Sequence, residues 1–237
     1  MKKRRELTTL KIGDYILQLS VVILGVIVTF GGSTLLSERA KAKEIANTME
    51  LIKIELEMNK EDIQEISQYL AAEQKMSRYL LHFENNLSEA SEDTLRMQLN
   101  FPFRINKFKA RTDALEMFKM SSLAQQIQDK KLILQIIKTY TEIKAVEDVV
   151  KWYYDLKSKY LEELKNDKNY LNKEREFINT YTSKSIRQLW ELRLSCFTVY
   201  NVLQFINGAR EFQEGFPTAE TAIEESIQII EKSYGRN

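Results

Sequence analysis

The spacing of apolar residues changes sharply along the first fifth of the chain. Residues 15–36 carry no charge, whereas from residue 45 onward apolar side chains recur at alternating intervals of four and three. An unbroken apolar run is typical of a membrane-spanning helix, and a 4-3 repeat is typical of an amphipathic helix. The pattern therefore predicts an all-α chain. One N-terminal transmembrane helix continues into a long helix, and an up-and-down helical bundle follows.

The predicted transmembrane helix covers residues 15–36 and follows a basic tail at residues 1–14. At about 1.5 Å per residue this segment spans roughly 33 Å, enough for a hydrocarbon core of about 30 Å. A cleavable signal peptide is the alternative, because the small residues Gly31, Gly32 and Ser33 lie near the end of the run. The uncleaved signal-anchor is favoured, since the run exceeds a usual signal sequence and no alanine-type cleavage site follows it.

Residues in and around the span predict its orientation and its packing. Five Lys or Arg residues precede the span and four follow within about 20 residues. The positive-inside rule then places residues 1–14 in the cytoplasm and the remainder on the periplasmic side of a bacterial inner membrane. Within the span, Gly25, Thr29, Gly32 and Ser33 form a small-residue stripe. This stripe either permits close helix packing in lipid or reflects the general frequency of such residues in membrane helices.

Residues 37–237 are predicted to form one soluble helical bundle. Between Ser33 and Asn207 the chain has no glycine and a single proline, Pro102, which disfavours strands, tight hairpins and phosphate-binding loops. The predicted elements are a long helix to about residue 86, an irregular connector at 88–111, and helices at 112–120, about 130–164, about 170–212 and 218–234. Asp129 and Thr218 are predicted to cap the helices that follow them.

Two of these helices carry the clearest apolar stripes. The first stripe consists of Ile45, Met49, Ile52, Leu56, Ile63, Ile66 and Leu70. After Leu70 the apolar positions shift by one residue, which predicts a phase slip. Asn59 lies in register with the stripe and either sets the register of a helix pair or faces water. In the helix from residue 130, Thr139 and Lys157 fill the two polar positions of an otherwise apolar 4-3 repeat.

Composition narrows the possible functions. The chain has 35 basic and 34 acidic residues, and without residues 1–36 the balance is 30 to 32, so no basic field is available for nucleic acid. His82 is the only histidine and Cys196 the only cysteine, too few for a zinc site, a di-iron site or a histidine-activated nucleophile of the usual kinds. The sequence therefore predicts no catalytic residue, no metal ligand, no cofactor and no nucleic-acid partner.

Two aromatic clusters are candidates for a partner or ligand surface. The candidate residues are Phe101, Phe103, Arg104, Lys107, Trp152 and Tyr154. The first four lie in the connector, which either contacts a partner or lipid, or folds back with its phenylalanines inward and its basic residues outward; the folded-back form is favoured. The other two flank the core register of their helix, where packing within the bundle is favoured over a ligand or partner surface.

The chain resembles a group of uncharacterised bacterial envelope proteins in two segments. The first is the span with the charged helix that follows it, VVILGVIVTFGGSTLLSERAKAKEIANTMELIKIELEMNKEDI, and the second is TDALEMFKMSSLAQQIQDKKLILQIIKTY. The resemblance covers about half of the chain. It implies a single-pass envelope protein with a helical soluble domain, and it implies no active residues.

These observations lead to two functional hypotheses. The leading one is a non-enzymatic, membrane-anchored interaction protein: a scaffold or accessory subunit of an envelope complex, with the lipid bilayer and another protein, or a second copy, as partners. The alternative is a membrane sensor or regulator whose bundle binds a small ligand. Because a 14-residue tail leaves no room for an output domain, such a sensor needs a partner in order to signal. A membrane enzyme is the third and least favoured possibility.

Overall fold

The computed structural model describes residues 2–180 and 185–235, with the side chains of residues 37–180, 185–209 and 212–235. All regular elements in these ranges are helical, which confirms the predicted all-α class. The α-helices are α1 Lys2–His82, α2 Glu92–Met97, α3 Asp113–Met120, α4 Leu123–Gln126, α5 Lys130–Asn166, α6 Lys168–Asn179, α7 Ile186–Leu194, α8 Phe197–Gly208 and α9 Phe216–Tyr234. Short 3-10 helices occupy Leu87–Glu89, Phe101–Phe103 and Ala209–Gln213.

The chain divides into two compact units, Met1–Leu51 and Ile52–Asn237, with the division inside α1. In the first unit the backbone is helical from Lys2. The predicted span at residues 15–36 and its small residues Gly25, Thr29, Gly32 and Ser33 lie outside the residues whose side chains are described. Among the residues whose side chains are described, no helix has an apolar stretch long enough to cross a membrane.

In the second unit, α1 buries one continuous face in a single 4-3 register. The buried residues of this face are Ile52, Leu56, Asn59, Ile63, Ile66, Leu70, Glu73, Ser77 and Leu80. Beyond Leu70, Met76 from the predicted shifted stripe is also buried, so the buried face becomes wider there and does not change register. The register continues through Glu73 and Ser77, two polar residues that a search for apolar positions passes over. The helix ends at His82, before the predicted end near Asn86.

Helix α9 packs antiparallel to α1. Lys53 Nζ lies 2.7 Å from Glu231 Oε1, and Lys60 Nζ lies 2.6 Å from Glu224 Oε1. As the α1 residue number rises, the number of its α9 partner falls. The C-terminal helix thus covers the part of α1 at which the second unit begins.

Helices α1 and α5 run in the same direction, and this corrects the predicted up-and-down order. The hydroxyl of Tyr140 donates to Glu55 Oε1 at 2.5 Å, while Lys157 binds Glu73 further along both helices. Parallel neighbours need a connection that returns along the bundle. Residues 83–129, which include α2, α3 and α4, form this connection, so the predicted connector at 88–111 is only partly irregular.

Helices α6, α7 and α8 replace the single helix predicted at about 170–212, which is therefore wrong. The break between α7 and α8 lies at Ser195, whose hydroxyl bonds to Leu192 O at 2.7 Å and competes with the helical pattern. Cys196 follows as the N-cap residue of α8 and is half-buried. The prediction that it lies inside a helix is therefore wrong. In α7, Trp190 is fully buried and its Nε1 donates to Leu95 O at 3.1 Å.

Of the two predicted helix caps, Asp129 and Thr218, the structure confirms the first and not the second. Asp129 Oδ1 accepts hydrogen bonds from Lys131 N at 2.9 Å and Leu132 N at 3.2 Å, which confirms the predicted start of α5. Thr218 is not a cap, because α9 already begins at Phe216. Pro217 lies in its first turn, where the missing N–H of proline costs no helical hydrogen bond.

Candidate functional site

Glu73 of α1 and Lys157 of α5 form an ion pair inside the second unit, and both side chains are fully buried. Lys157 Nζ donates to Glu73 Oε1 and, at 2.6 Å, to Arg104 O of the connector. The hydroxyl of Tyr153 donates to Glu73 Oε2 at 2.6 Å. Each carboxylate oxygen therefore has a partner, as a buried charge requires.

Burial and attraction act in opposite directions on this pair. Desolvation raises the pKa of Glu73 and lowers the pKa of Lys157, while the charge of each partner favours the ionised form of the other. Burial, together with the nearby Glu73 carboxylate, also raises the pKa of Tyr153 and of Tyr154. Since neither Glu73 nor Lys157 is exposed, the pair is placed to join two helices and the connector rather than to meet a substrate.

Asn59 fixes the other end of the connector. Its Nδ2 donates to Arg111 O at 2.9 Å, and its Oδ1 accepts from Arg111 N at 2.8 Å, so one side chain satisfies both backbone groups of that residue. The guanidinium of Arg111 also pairs with Asp62 at 2.9 Å. Asn59 therefore neither faces water nor sets the register of two helices. It binds the backbone of the connector where the connector crosses α1.

A second buried carboxylate, Glu55, holds the start of α3. Its Oε2 accepts from Ala114 N at 2.8 Å and its Oε1 from Leu115 N at 3.4 Å. A helix N-terminus has unpaired N–H groups and a partial positive charge, so a carboxylate there is stabilised. The hydroxyl of Tyr140 adds a third hydrogen bond, and burial, with Glu55 beside it, raises the pKa of Tyr140. Glu55 thus links α1, α3 and α5.

The aromatic residues of the connector point inward. Phe101 and Phe103 are half-buried; the ring of Phe101 lies 4.8 Å from that of Tyr69, and Phe103 stacks with Trp190 at 6.4 Å. Arg104 and Lys107 are exposed. The connector therefore has the folded-back arrangement favoured from the sequence.

The two candidate residues of α5 differ: Tyr154 packs within the bundle, as favoured from the sequence, whereas Trp152 is exposed. Tyr154 is buried, and its hydroxyl has no hydrogen-bond partner among the described atoms, so it belongs to no exposed surface. Its ring lies below Lys157 Nζ, 5.6 Å from the centroid. Trp152 is 57% exposed and contacts Phe212, with ring centroids 4.9 Å apart. Residues two apart on an α-helix are separated by about 200° around its axis, so Trp152 and Tyr154 point to nearly opposite sides of α5 and only one of them faces the core.

Helix α5 also exposes an apolar stripe, which was not singled out from the sequence. The α5 stripe consists of Leu134, Ile137, Thr141, Ala145, Val149 and Trp152, all exposed. These six positions follow the period of an α-helix, so they lie on one face over about 27 Å. A stronger stripe on the opposite face of α5 forms the core, and it masked this weaker pattern in the sequence.

The two residues with the most distinctive chemistry are not assembled into a reactive group. His82 is exposed and its ring packs against Phe83 at 4.8 Å, while the Cys196 sulfur lies 3.8 Å from Asp167 Oδ2. Within the described side chains, no group of three or more His, Cys, Asp or Glu residues is arranged to hold a metal ion.

Comparisons of the chain with protein-family models, curated proteins and solved structures found no match.

Proposed function

We propose that this chain is a non-enzymatic, membrane-anchored interaction protein whose α5 stripe binds another protein of an envelope complex. The exposed α5 stripe is the observation that supports binding to another protein. The anchoring part rests on the uncharged segment at residues 15–36 behind a basic tail, and the resemblance to envelope proteins supports it. In this proposal the tail lies in the cytoplasm and the bundle in the periplasm.

The α5 stripe has the properties of a binding surface for a helix. Scattered exposed apolar residues are ordinary, but a row of them on one helix face is typical of an interaction site. Leu134 is 66% exposed near one end and Trp152 is exposed at the other, and tryptophan is a frequent anchor of protein interfaces. An amphipathic helix lying along this row would bury both residues.

Charges beside the α5 stripe specify the direction of such a partner. Lys131 and Lys138 flank its first half and are exposed. Beside its second half, Asp155 is exposed, and Asp148 is paired with Lys144 at 3.0 Å. Opposite charges across an interface favour one orientation and disfavour the reverse. We therefore propose a partner helix with acidic residues opposite the start of α5 and a basic residue opposite Asp155.

Purification of the full chain from its native membrane in mild detergent, followed by mass measurement of the intact assembly, tests this proposal. We expect a second protein at a fixed stoichiometry in the wild type and at least a tenfold lower amount with Leu134→Glu. A charge on the exposed face leaves the core intact but disrupts apolar contacts. Met120→Glu is the control, because Met120 is 87% exposed on a different helix. A monomer in the wild type, or a partner retained with Leu134→Glu, would contradict the proposal.

A further inference from the structure

A groove between the end of α1 and α2 is a second surface feature, separate from the α5 stripe. Its volume is about 750 Å³, and its walls include Met76 and Tyr79 from α1 and Met97 from α2. Small-molecule sites are usually clefts of about 300–1,000 Å³ with mainly apolar walls and a few polar groups. This α1–α2 groove has the size and composition of such a site.

Basic residues line one wall of the α1–α2 groove. Lys75, Arg78 and His82 belong to α1 at spacings of three and four residues, so they lie on one face of the helix, and all three are exposed. The described ion pairs of the second unit do not include any of them. Arg78 Nε bonds to Asn207 Oδ1 at 3.5 Å, which leaves its charge uncompensated. The wall therefore offers positive charge to a ligand.

Gln98 adds an unpaired polar group to the α1–α2 groove. It lines the groove, and its side-chain carbonyl oxygen is buried without a hydrogen-bond partner among the described atoms. A buried polar atom without a partner costs free energy that a bound polar group removes. That oxygen is an acceptor and suits a donor group of a ligand, whereas the amide nitrogen of the same side chain is a donor and can bind an anionic headgroup.

We propose that the α1–α2 groove binds a single-chain anionic amphiphile, such as a fatty carboxylate or an alkyl phosphate. The headgroup would lie against Lys75 and Arg78, and the chain would pack along Met76, Tyr79 and Met97. Neutral and cationic amphiphiles share the apolar contacts but not the attraction to the basic wall. The inference does not depend on the α5 stripe, and it supplies a class of ligand for a sensor or regulator function.

The test uses the full chain in phosphatidylcholine nanodiscs, with methyl-labelled methionine observed by NMR. Met76 and Met97 report on the groove itself, because both line it. We expect dodecanoate or dodecyl phosphate to shift both methyl signals in a saturable manner, and dodecyltrimethylammonium to bind at least tenfold more weakly. The comparison of dodecanoate with dodecyl phosphate distinguishes the two headgroups, and binding of either supports the proposal.

Charge reversal tests the basic wall directly. We expect Lys75→Glu combined with Arg78→Glu to weaken dodecanoate binding at least tenfold, whereas Lys159→Glu combined with Lys173→Glu, at exposed sites on other helices, leaves binding unchanged. If the ligand-free spectrum of the first variant shows misfolding, the neutral pair Lys75→Gln and Arg78→Gln replaces it.

Three results would overturn the proposal. The first is the absence of shifts at Met76 and Met97 with both anionic amphiphiles. The second is equal affinity for dodecanoate and dodecyltrimethylammonium, which would show that the basic wall does not select the ligand. The third is a shift of both methyl signals when an acidic amphipathic peptide is added, with no shift for any amphiphile. This result would identify the groove as a protein-binding site instead.

Discussion

At the scale of single residues, a few buried polar side chains determine how the helices are joined. Lys157 was in the predicted core register, but its partner Glu73 was not predicted. Hydrophobic periodicity counts only apolar positions, and nothing local indicates that a carboxylate 84 residues away lies opposite the amine. The burial of Glu55 was not predicted either, because a carboxylate close to Glu57 on a helix is most simply interpreted as part of a solvated face. Which buried polar residues lie opposite each other depends on the fold. In the sequence they are visible only as positions where the apolar repeat is interrupted.

The Glu73–Lys157 pair leads to a prediction about stability. Lys157→Met leaves Glu73 buried and unpaired, and we expect a loss of about 3–5 kcal/mol in the free energy of unfolding. Glu73→Met combined with Lys157→Met removes both charges, so we expect a much smaller loss. Urea unfolding of the full chain in detergent, followed by tryptophan fluorescence, measures both. If both variants lost the same free energy of unfolding, the loss in Lys157→Met would not be due to the unpaired charge of Glu73.

Tyr153 and Tyr154 allow the same substitution to be compared at adjacent buried positions. Tyr153→Phe removes the hydrogen bond to Glu73, and we expect a loss of about 1–3 kcal/mol, because a charged acceptor is left with fewer partners. Tyr154→Phe removes a hydroxyl without a partner, so we expect no loss or a small gain. Thermal unfolding monitored by circular dichroism measures the difference. A larger loss for Tyr154→Phe would contradict the assigned hydrogen bonds.

At the scale of elements, local signals predicted some helices well and others poorly. The start of α5 followed from the Asp129 cap and a clear 4-3 repeat, both of which are local. The break before Cys196 was missed because neither Ser195 nor Cys196 is a strong helix breaker. The parallel direction of α1 and α5 depends on contacts between distant residues, which no local pattern contains.

Asn59 tests how the connector is held. Asn59→Ala removes both hydrogen bonds to the backbone of Arg111, so we expect residues 104–111 to detach more often from α1. Limited digestion with trypsin should cut this basic segment several times faster, with the sites identified by mass spectrometry. Asn172→Ala, at an exposed position on α6, is the control and should not change the rate. An unchanged pattern with Asn59→Ala would show that other contacts are sufficient.

At the scale of the whole molecule, the all-α class was predictable because it depends on composition and periodicity over long stretches. A chain almost without glycine and proline between residues 33 and 207 has few ways to turn, and long helices are the result. The order and direction of the helices were not predictable in the same way. The α1–α2 groove was also not predictable, because two segments that are separate in the sequence form it.

The proposed anchor leads to a prediction for the whole chain. We expect the full chain to stay in the membrane fraction after washing with high salt and with alkaline carbonate, because 22 uncharged residues are buried in lipid. A variant that lacks residues 2–36 should be extracted. Protease added to intact spheroplasts should cut residues 37–237 if they lie in the periplasm. Extraction of the full chain would contradict the anchor, and an uncut bundle would place it in the cytoplasm.

The antiparallel contact between α1 and α9 has a consequence for synthesis. The ribosome completes the apolar face of α1 from Ile52 to Ile66 about 150 residues before it begins residues 216–234, which cover this face. At about 5–20 residues per second, the delay is on the order of ten seconds or more. During that time the nascent chain exposes an apolar surface, so a chaperone is expected to shield it. Messenger RNAs truncated before the codon for residue 216 would give chains in which this face of α1 stays exposed. Quality-control proteases should remove these chains.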